Sequence, residues 1–410
     1  MNEILNKKYF ILIFMCFFAY MISYIGRLGY NVNIQNFIDT YNITRLEAGY
    51  ASSAFFFCYG AGQFLNGMFC DKMNSIKVVS FSLMISGILS FCLFFIYNVV
   101  LVSTIWGLNG LSLSTLWCNV IKLTSKIKNE KYKQKSVVWL SVSLPVGTLF
   151  AYGVSSLFTY INIWQVYFLI SALILMVGGF LFFMITSKTD KIIVEYEREI
   201  DVEIEKPAEI KKSLIKFLSF AIIPIFLLLA SGTFVKDGVQ TWMPTFLTDN
   251  YDMPTYFSIL VTLILPVFGF FSAVVAKALM NKIKDVFIST FLVLLAVIIL
   301  LIIHIIFSSY TPIIPIIVFA LLNFFIHIQN ANLTAIFPVY YSDYVSSGMV
   351  AGIFNCFAYV GSTLSSALIG GFVDGFGWNA FNFIILGCAG LCAILSIITF
   401  FLMKNKVKIK

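Results

Sequence analysis

Apolar stretches of about 20 residues recur along the whole 410-residue chain. Each is long enough to cross ~30 Å of hydrocarbon as a helix. Twelve are read: 8–30, 46–68, 77–96, 100–124, 136–159, 164–186, 213–237, 255–278, 285–308, 312–338, 346–372 and 377–403. Runs such as Phe10–Phe18 and Val293–Ile303 are apolar on every face. A barrel strand would alternate, so helices are expected. Composition agrees, with 60% hydrophobic and 11% charged residues, against about 25% charged in an ordinary globular domain. A soluble chain of this make-up would expose far more apolar surface than monomers tolerate. The expected fold class is an all-α membrane protein with twelve transmembrane helices. The first segment is long, carries Arg27 and lacks a small-residue cleavage site, so it reads as a retained helix and not a signal peptide.

The charges give sidedness. Of 27 Lys and Arg, all but Arg27, Arg45 and Lys236 fall in the N-terminus, the loops after even-numbered segments or their membrane edges, the middle of the chain and the C-terminal tail. The opposite loops carry Asp39, Glu47, Asp249, Asp252 and Asp374 with Arg45. By the positive-inside rule both termini are expected on the cytoplasmic side of a cell membrane, which requires an even helix count. The net charge of +8 is then mostly a topology signal that also suits anionic headgroups. A nucleic-acid surface would need those lysines clustered on a folded domain, so no nucleic-acid partner is expected. The stretch 187–212 is rich in both signs and has no apolar face, so it reads as a solvated cytoplasmic linker. It separates residues 1–186 from 213–410, an N-terminal and a C-terminal bundle of six helices each. Two pseudo-symmetric six-helix halves are the architecture of a secondary transporter with its site near the bilayer midplane.

The eight cysteines lie in helices or at their ends and read as small core hydrophobes. Cys388 and Cys392 share a helix face without a His or carboxylate beside them, so neither a metal nor a cofactor is expected. No nucleophile–base set or nucleotide loop is recognisable, which argues against an enzyme. An ionisable group deep in a helix costs ~2.5–3.5 kcal/mol on insertion scales and marks a functional candidate. Arg27, in Tyr24-Ile25-Gly26-Arg27-Leu28-Gly29-Tyr30, and Lys236, followed by Asp237, lie on the first segment of each half, about half the chain apart. Two cations at corresponding places need an anionic partner, and with few acids inside the segments that partner is a substrate. Phosphate suits an arginine fork and a lysine point charge. Both cations sit within a turn of their segment ends by these boundaries, so snorkelling to the interface is the alternative. Asp237, about 100° round the helix from Lys236, either faces another helix or partly neutralises the site.

Other residues carry a family resemblance. The loop after the second segment reads Gly67-Met68-Phe69-Cys70-Asp71-Lys72, with Lys77 downstream. Its second-half counterpart, Ala273 to Lys282, is degenerate, with Asn281 where an Asp is expected. Tyr59-Gly60 to Asn66-Gly67, Lys236-Asp237-Gly238 to Trp242-Met243-Pro244-Thr245-Phe246-Leu247, and Gly348 to Gly361 followed by Val373-Asp374-Gly375-Phe376-Gly377-Trp378 sample both halves. With these the chain resembles the major facilitator superfamily, and within it the organophosphate:inorganic-phosphate antiporters, the group of glycerol-phosphate and hexose-phosphate transporters. The resemblance implies that Arg27 is the phosphate-binding arginine of the first helix. It places Lys236 where the family usually has a second arginine. It puts Tyr20, Tyr24, Tyr59 and Tyr359 on tyrosines lining the pocket, and gives Gly67, Asp71 and Lys72 the role of the gating loop. Gln63 stands where glycerol-phosphate transporters have a lysine, and Ser143 where they have a histidine. Both departures remove positive charge.

Second-half polar residues are candidates for reading the rest of a substrate. Asn323 and His327 share a helix face at i,i+4, as do Asn355 and Tyr359. An interhelical hydrogen bond is an equal reading for His327. His304, Asn109 and Asn119 are expected to be structural, and the Gly and Ser of 348–366 to permit close packing. The function expected is alternating-access exchange of a phosphorylated small metabolite for inorganic phosphate by a monomer in the lipid bilayer. The rivals are a proton-coupled symporter of a carboxylate such as a sugar acid, and a transport-like sensor of sugar phosphate.

Overall fold

The computed structural model describes residues 2–69, 73–125, 127–198, 221–337 and 347–404, all as helices and short connections. Fifteen α-helices are seen among them: α1 (Asn2–Val32), α2 (Ile34–Tyr41), α3 (Arg45–Phe69), α4 (Ser75–Leu93), α5 (Val99–Leu113), α6 (Leu116–Ser125), α7 (Glu130–Tyr160), α8 (Val166–Arg198), α9 (Ile222–Tyr251), α10 (Thr255–Thr262), α11 (Ile264–Ile283), α12 (Val286–Phe307), α13 (Ile313–Ala331), α14 (Ser347–Phe376) and α15 (Trp378–Lys404). Polar side chains start several of them. Asn74, Asn98, Asn129 and Asp285 accept backbone N–H bonds as N-caps. Left-handed residues Asn42 and Asp252 end α2 and α9.

The breaks have local causes. At the α1–α2 junction Asn33 turns its side chain back onto the Gly29 carbonyl. At α5–α6, Ser114 and Thr115 bond the carbonyls of Leu111 and Ser112, competing with the helix ladder. Pro266 lacks the N–H that would continue α10 into α11.

Among the described residues eleven spans are long and apolar enough to cross a membrane, the α1–α2 pair counting as one from Leu5 to Tyr41. The expected segment 46–68 is not among them: α3 carries Arg45, Glu47, Gln63 and Asn66, which lower its mean hydropathy. At 25 residues it is still ~37 Å long, and it lies along α14, itself one of the eleven. Two further boundaries moved. The segment expected at 213–237 is α9, from Ile222 to Tyr251. The charged stretch expected to begin as a linker at 187 continues α8 to Arg198, and 199–220 lies outside the described residues.

Packing follows a repeated scheme. In the first part of the chain α1 packs on α7, α3 on α5 and α4 on α8. In the second, α9 packs on α14, α11 on α13 and α12 on α15. These are the same three pairings, counted from the start of each part. Between the parts α3 meets α14 and α7 meets α10, again a symmetry-related pair of contacts. Close approach needs missing side chains. A β-carbon at Gly49 would stand 2.5 Å from the Ser366 carbonyl oxygen, and one at Gly361 only 1.8 Å from that of Ala230. Gly361 and Ser366 therefore do pack helices closely, as expected, whereas Gly352 does not.

Candidate functional site

Neither Arg27 nor Lys236 sits at the end of its membrane span. Arg27 lies within the Leu5–Tyr41 span, and Lys236 at the middle of α9. Neither snorkels. The Arg27 fork is turned onto phenols from both parts of the chain: NH1 donates to Tyr59 Oη (3.1 Å) and NH2 to Tyr359 Oη (3.0 Å). Its guanidinium carbon lies 4.4 Å from the Tyr59 ring centre and 5.4 Å from that of Tyr24, a cation–π cage. Tyr59 and Tyr359 rings meet at 5.0 Å, and Tyr20 packs on Tyr24 at 5.5 Å. Gln63, one turn beyond Tyr59, donates to the same phenol oxygen at 3.2 Å. Among the described residues no carboxylate lies within ion-pair distance of Arg27.

Lys236 differs. Its Nζ sits 3.0 Å from Asp237 Oδ1, and Ser362 Oγ on α14 donates to Asp237 Oδ2. Asp237 therefore combines the two roles open to it, pairing with Lys236 and facing another helix, α14. The charge of Lys236 reaches Tyr24 and His327, and that of Asp237 reaches Tyr359, Tyr152 and His327. The two cations thus share one neighbourhood lined by tyrosines.

Other expected residues fall differently. His327 and Asn323 face Gly269 of α11, and His327 lies near the Lys236–Asp237 pair. Asn323 Nδ2 is spent on the Leu265 carbonyl, while its buried Oδ1 has no partner. Asn355 is half-buried on α14, one turn from Tyr359. Ser143 is fully buried and bonds its own helix at the Leu140 carbonyl. Gly67 lies near the end of α3, and Asp71 and Lys72 lie outside the described residues. His304 bonds Asn382 at 3.0 Å and is structural. Asn109 ties α5 to the Gly26 carbonyl, whereas Asn119 bonds its own helix at Thr115 and joins no other. No group of His, Cys, Asp and Glu among the described residues could hold a metal.

Three features were missed in the sequence. Ser362, which reads in the sequence as one of the small packing residues, bonds Asp237. Asn31 Nδ2 donates to Thr241 Oγ1 at 3.2 Å, joining α1 to α9 one turn beyond the two cations. Its signal was spacing, since Asn31 and Thr241 lie nearly as far apart in the chain as Arg27 and Lys236. The third is a charge cluster at the far end of α3. Arg45 pairs with Asp249 (2.5 Å) and Asp374 (3.2 Å), and Asp374 also accepts the Leu46 N–H. Burial there works against the guanidinium's charge, but the hydrogen bonds and charges of Asp249 and then Asp374 outweigh it and raise its pKa. From this cluster α3 and α14 stay in register: Gly49 on Ser366, Ser53 Oγ on the Thr363 carbonyl (2.6 Å), Gly60 on Tyr359. Further along, a β-carbon at Gly352 would meet nothing within 4 Å.

Residues 16–346 match the family model of the Major Facilitator Superfamily. The chain belongs to that superfamily. It is accordingly a multi-pass membrane transporter and not a catalytic protein. The fold of this superfamily member is similar to a bacterial homologue of the human lysosomal transporter Spinster in an inward-facing, unoccupied conformation, with a TM-score of 0.72, 12% identity and 98% of each chain covered. It is also similar to the nucleoside transporter NupG, with a TM-score of 0.71, 13% identity, and 97% of this chain and 100% of that one covered. A curated relative, a probable hexose phosphate transport protein of Chlamydia pneumoniae, is 26% identical over 113 residues. That match spans 27% of this chain and 25% of the relative's length.

Proposed function

We propose that this protein is a secondary active transporter that carries a small organic anion by alternating access. The observation that supports this is Arg27: a guanidinium between the two parts of the chain, held by neutral phenols, with no carboxylate paired to it. A cation inside a membrane span needs a counter-charge, and an anionic substrate supplies one. Arg27 has five N–H donors and spends two on the phenols, so a carboxylate or phosphate oxygen can join without breaking the cage. Neutralisation of Arg27, with the phenols of Tyr59 on α3 and Tyr359 on α14 contributing, would draw the halves together and permit reorientation.

The architecture in this reading is twelve helices in two six-helix bundles, 1–186 and 213–410, with 187–212 between them. The eleven apolar spans and α3 make up the twelve. The protein is placed in the plasma membrane as a monomer with both termini cytoplasmic. The Arg45 cluster then lies outside, and with α3 and α14 joined from Arg45 to Gly60 the conformation is inward-facing. Gly67, Asp71 and Lys72 form a loop that latches the other state. His327 and Asn355 line the substrate's far end.

Two headgroups suit such a site. A phosphate ester exchanged for inorganic phosphate follows from the organophosphate antiporter resemblance and the short match to a hexose phosphate transport protein. A carboxylate such as a sugar acid, carried with a proton, is favoured by a specific observation: Asp237 already occupies Lys236, which leaves Arg27 to pair with a singly charged headgroup. The carboxylate is the better-supported reading. Proteoliposome counterflow tests both. Labelled gluconate accumulating with an imposed inward proton gradient, and not with internal phosphate, is the expected result. Accumulation that needs internal phosphate would instead support exchange, and no flux of either probe would favour a sensor.

A further inference from the structure

The charges around the site sum differently from the charges in the sequence, and the difference bears on what the site can hold. Two cations point to a dianion. In the structure one of them, Lys236, already has a counter-ion, because Asp237 is fixed at both oxygens: Oδ1 on Lys236 (3.0 Å) and Oδ2 on Ser362 Oγ. Asp237 is 8% exposed, and Ser362 is on a neighbouring helix, so the carboxylate is clamped between α9 and α14. It is not a side chain free to swing away when a ligand enters. The other titratable groups facing the pair are Tyr24, Tyr152, Tyr359 and His327, and an ordinary phenol or imidazole is uncharged at pH 8. The site therefore offers one uncompensated positive charge, on Arg27.

We propose that Asp237 sets the charge class of the substrate, admitting a singly charged organic anion at Arg27 and disfavouring a dianionic phosphate monoester. This rests on the organic-anion reading above and names the member of that class the site takes. A monoanionic headgroup neutralises Arg27 and leaves the Lys236–Asp237 pair intact. A dianion would leave one negative charge in a buried, tyrosine-lined region and would face the Asp237 carboxylate. Selectivity of this kind comes as much from the repulsive group as from the attractive one. Ser362 is the positioning residue, since it keeps the Asp237 carboxylate facing Lys236.

The test compares two probes with similar hexose bodies, glucuronate and glucose 6-phosphate, on the detergent-purified full chain. At pH 8 a phosphate monoester carries nearly two charges and glucuronate one. Calorimetric titration of the wild type is expected to give tighter binding of glucuronate. Asp237→Asn raises the site charge by one and is expected to shift the affinity ratio toward glucose 6-phosphate by about ten-fold, ~1.4 kcal/mol. Lys236→Gln combined with Asp237→Asn removes the pair as a unit, keeps the net charge, and avoids an unpaired buried lysine should the single variant fail to fold. It is expected to keep the wild-type order. Wild-type preference for glucose 6-phosphate overturns the proposal, and so does a ratio unchanged by Asp237→Asn or a double variant that switches order. A wild type that binds neither probe, nor inorganic phosphate, breaks the organic-anion reading itself and is distinct from those results.

Discussion

Arg27 and Arg45 are the same residue type, both join the two parts of the chain, and they are solved in opposite ways. Arg45 has two carboxylates, Asp249 and Asp374, and an indole from Trp378 at 5.9 Å. Arg27 has phenols from both parts and no acid. In the reading proposed above, the contrast separates a lock from a receptor. A guanidinium whose charge the protein itself neutralises has nothing further to bind, and its energy goes into holding helix ends together. A guanidinium left with neutral donors and acceptors is held in place while its charge stays available. Lys236 stands between them, a cation in the receptor region treated as in the lock.

The largest break in that comparison is expected from Arg27→Gln. Glutamine can still reach a phenol but carries no charge, and losing charge-assisted bonds of ~1.5–3 kcal/mol each lowers organic-anion affinity by about 100-fold or more. Calorimetric titration reads the loss, and unchanged thermal stability distinguishes it from misfolding. Retained affinity would remove the receptor role.

Next is Gly49→Leu, which strikes the lock without touching a charge. Its first added carbon would already stand 2.5 Å from the Ser366 carbonyl oxygen, inside van der Waals contact, so α3 and α14 must part at the Arg45 end. A cysteine replacing Thr241, which is 1% exposed beside Asn31, is expected to react with an impermeant maleimide about ten-fold faster in this background. An unchanged rate would mean the helices are held apart from the Arg45 end by something else.

Arg45→Ala should act in the same direction and more weakly. Its side chain is 28% exposed and its partners 20% and 24%, so each pair contributes about 0.5–1 kcal/mol after screening. The Thr241→Cys labelling rate should rise about three- to ten-fold, and raising salt in the wild type should mimic part of the rise. An effect of similar size, on affinity, is expected for Tyr59→Phe. The ring keeps its cation–π position at 4.4 Å while one hydrogen bond from Arg27 is lost, so affinity should fall by about three- to ten-fold. A loss equal to that of Arg27→Gln would mean the phenol, and not the cation, carries binding.

Much of this was legible in the chain, for reasons particular to membranes. Hydrocarbon forces backbone bonds to be made within a helix, so the apolar runs could be located within a few residues nearly everywhere. The exceptions have causes. Segment 213–237 slid to Ile222–Tyr251 because polar Lys236, Asp237, Gln240 and Thr241 hide the helix's second half from a hydropathy reading. That slide made Lys236 look like a helix-end residue when it is central. Arg27, Lys236 and the tyrosines stood out because ionisable and aromatic groups are conspicuous in an apolar segment. Ser362 did not, since serine in a small-residue helix has the same signature whether it packs or binds. Ser143 was carried by resemblance alone, and its hydroxyl went to the Leu140 carbonyl of its own helix.

By itself the sequence determined an all-helical membrane chain, its repeated halves and two out-of-place cations, because burial of charge and backbone in lipid leaves few solutions. Pairing it could not determine. Whether Asp237 faces Lys236, another helix or both, whether Arg45 finds Asp249 and Asp374 some 200 and 330 residues away, and whether Arg27 meets Tyr59 and Tyr359 all depend on how α3 and α9 pack on α14. The tertiary structure decided those contacts, and with them which positive charge is left for a ligand.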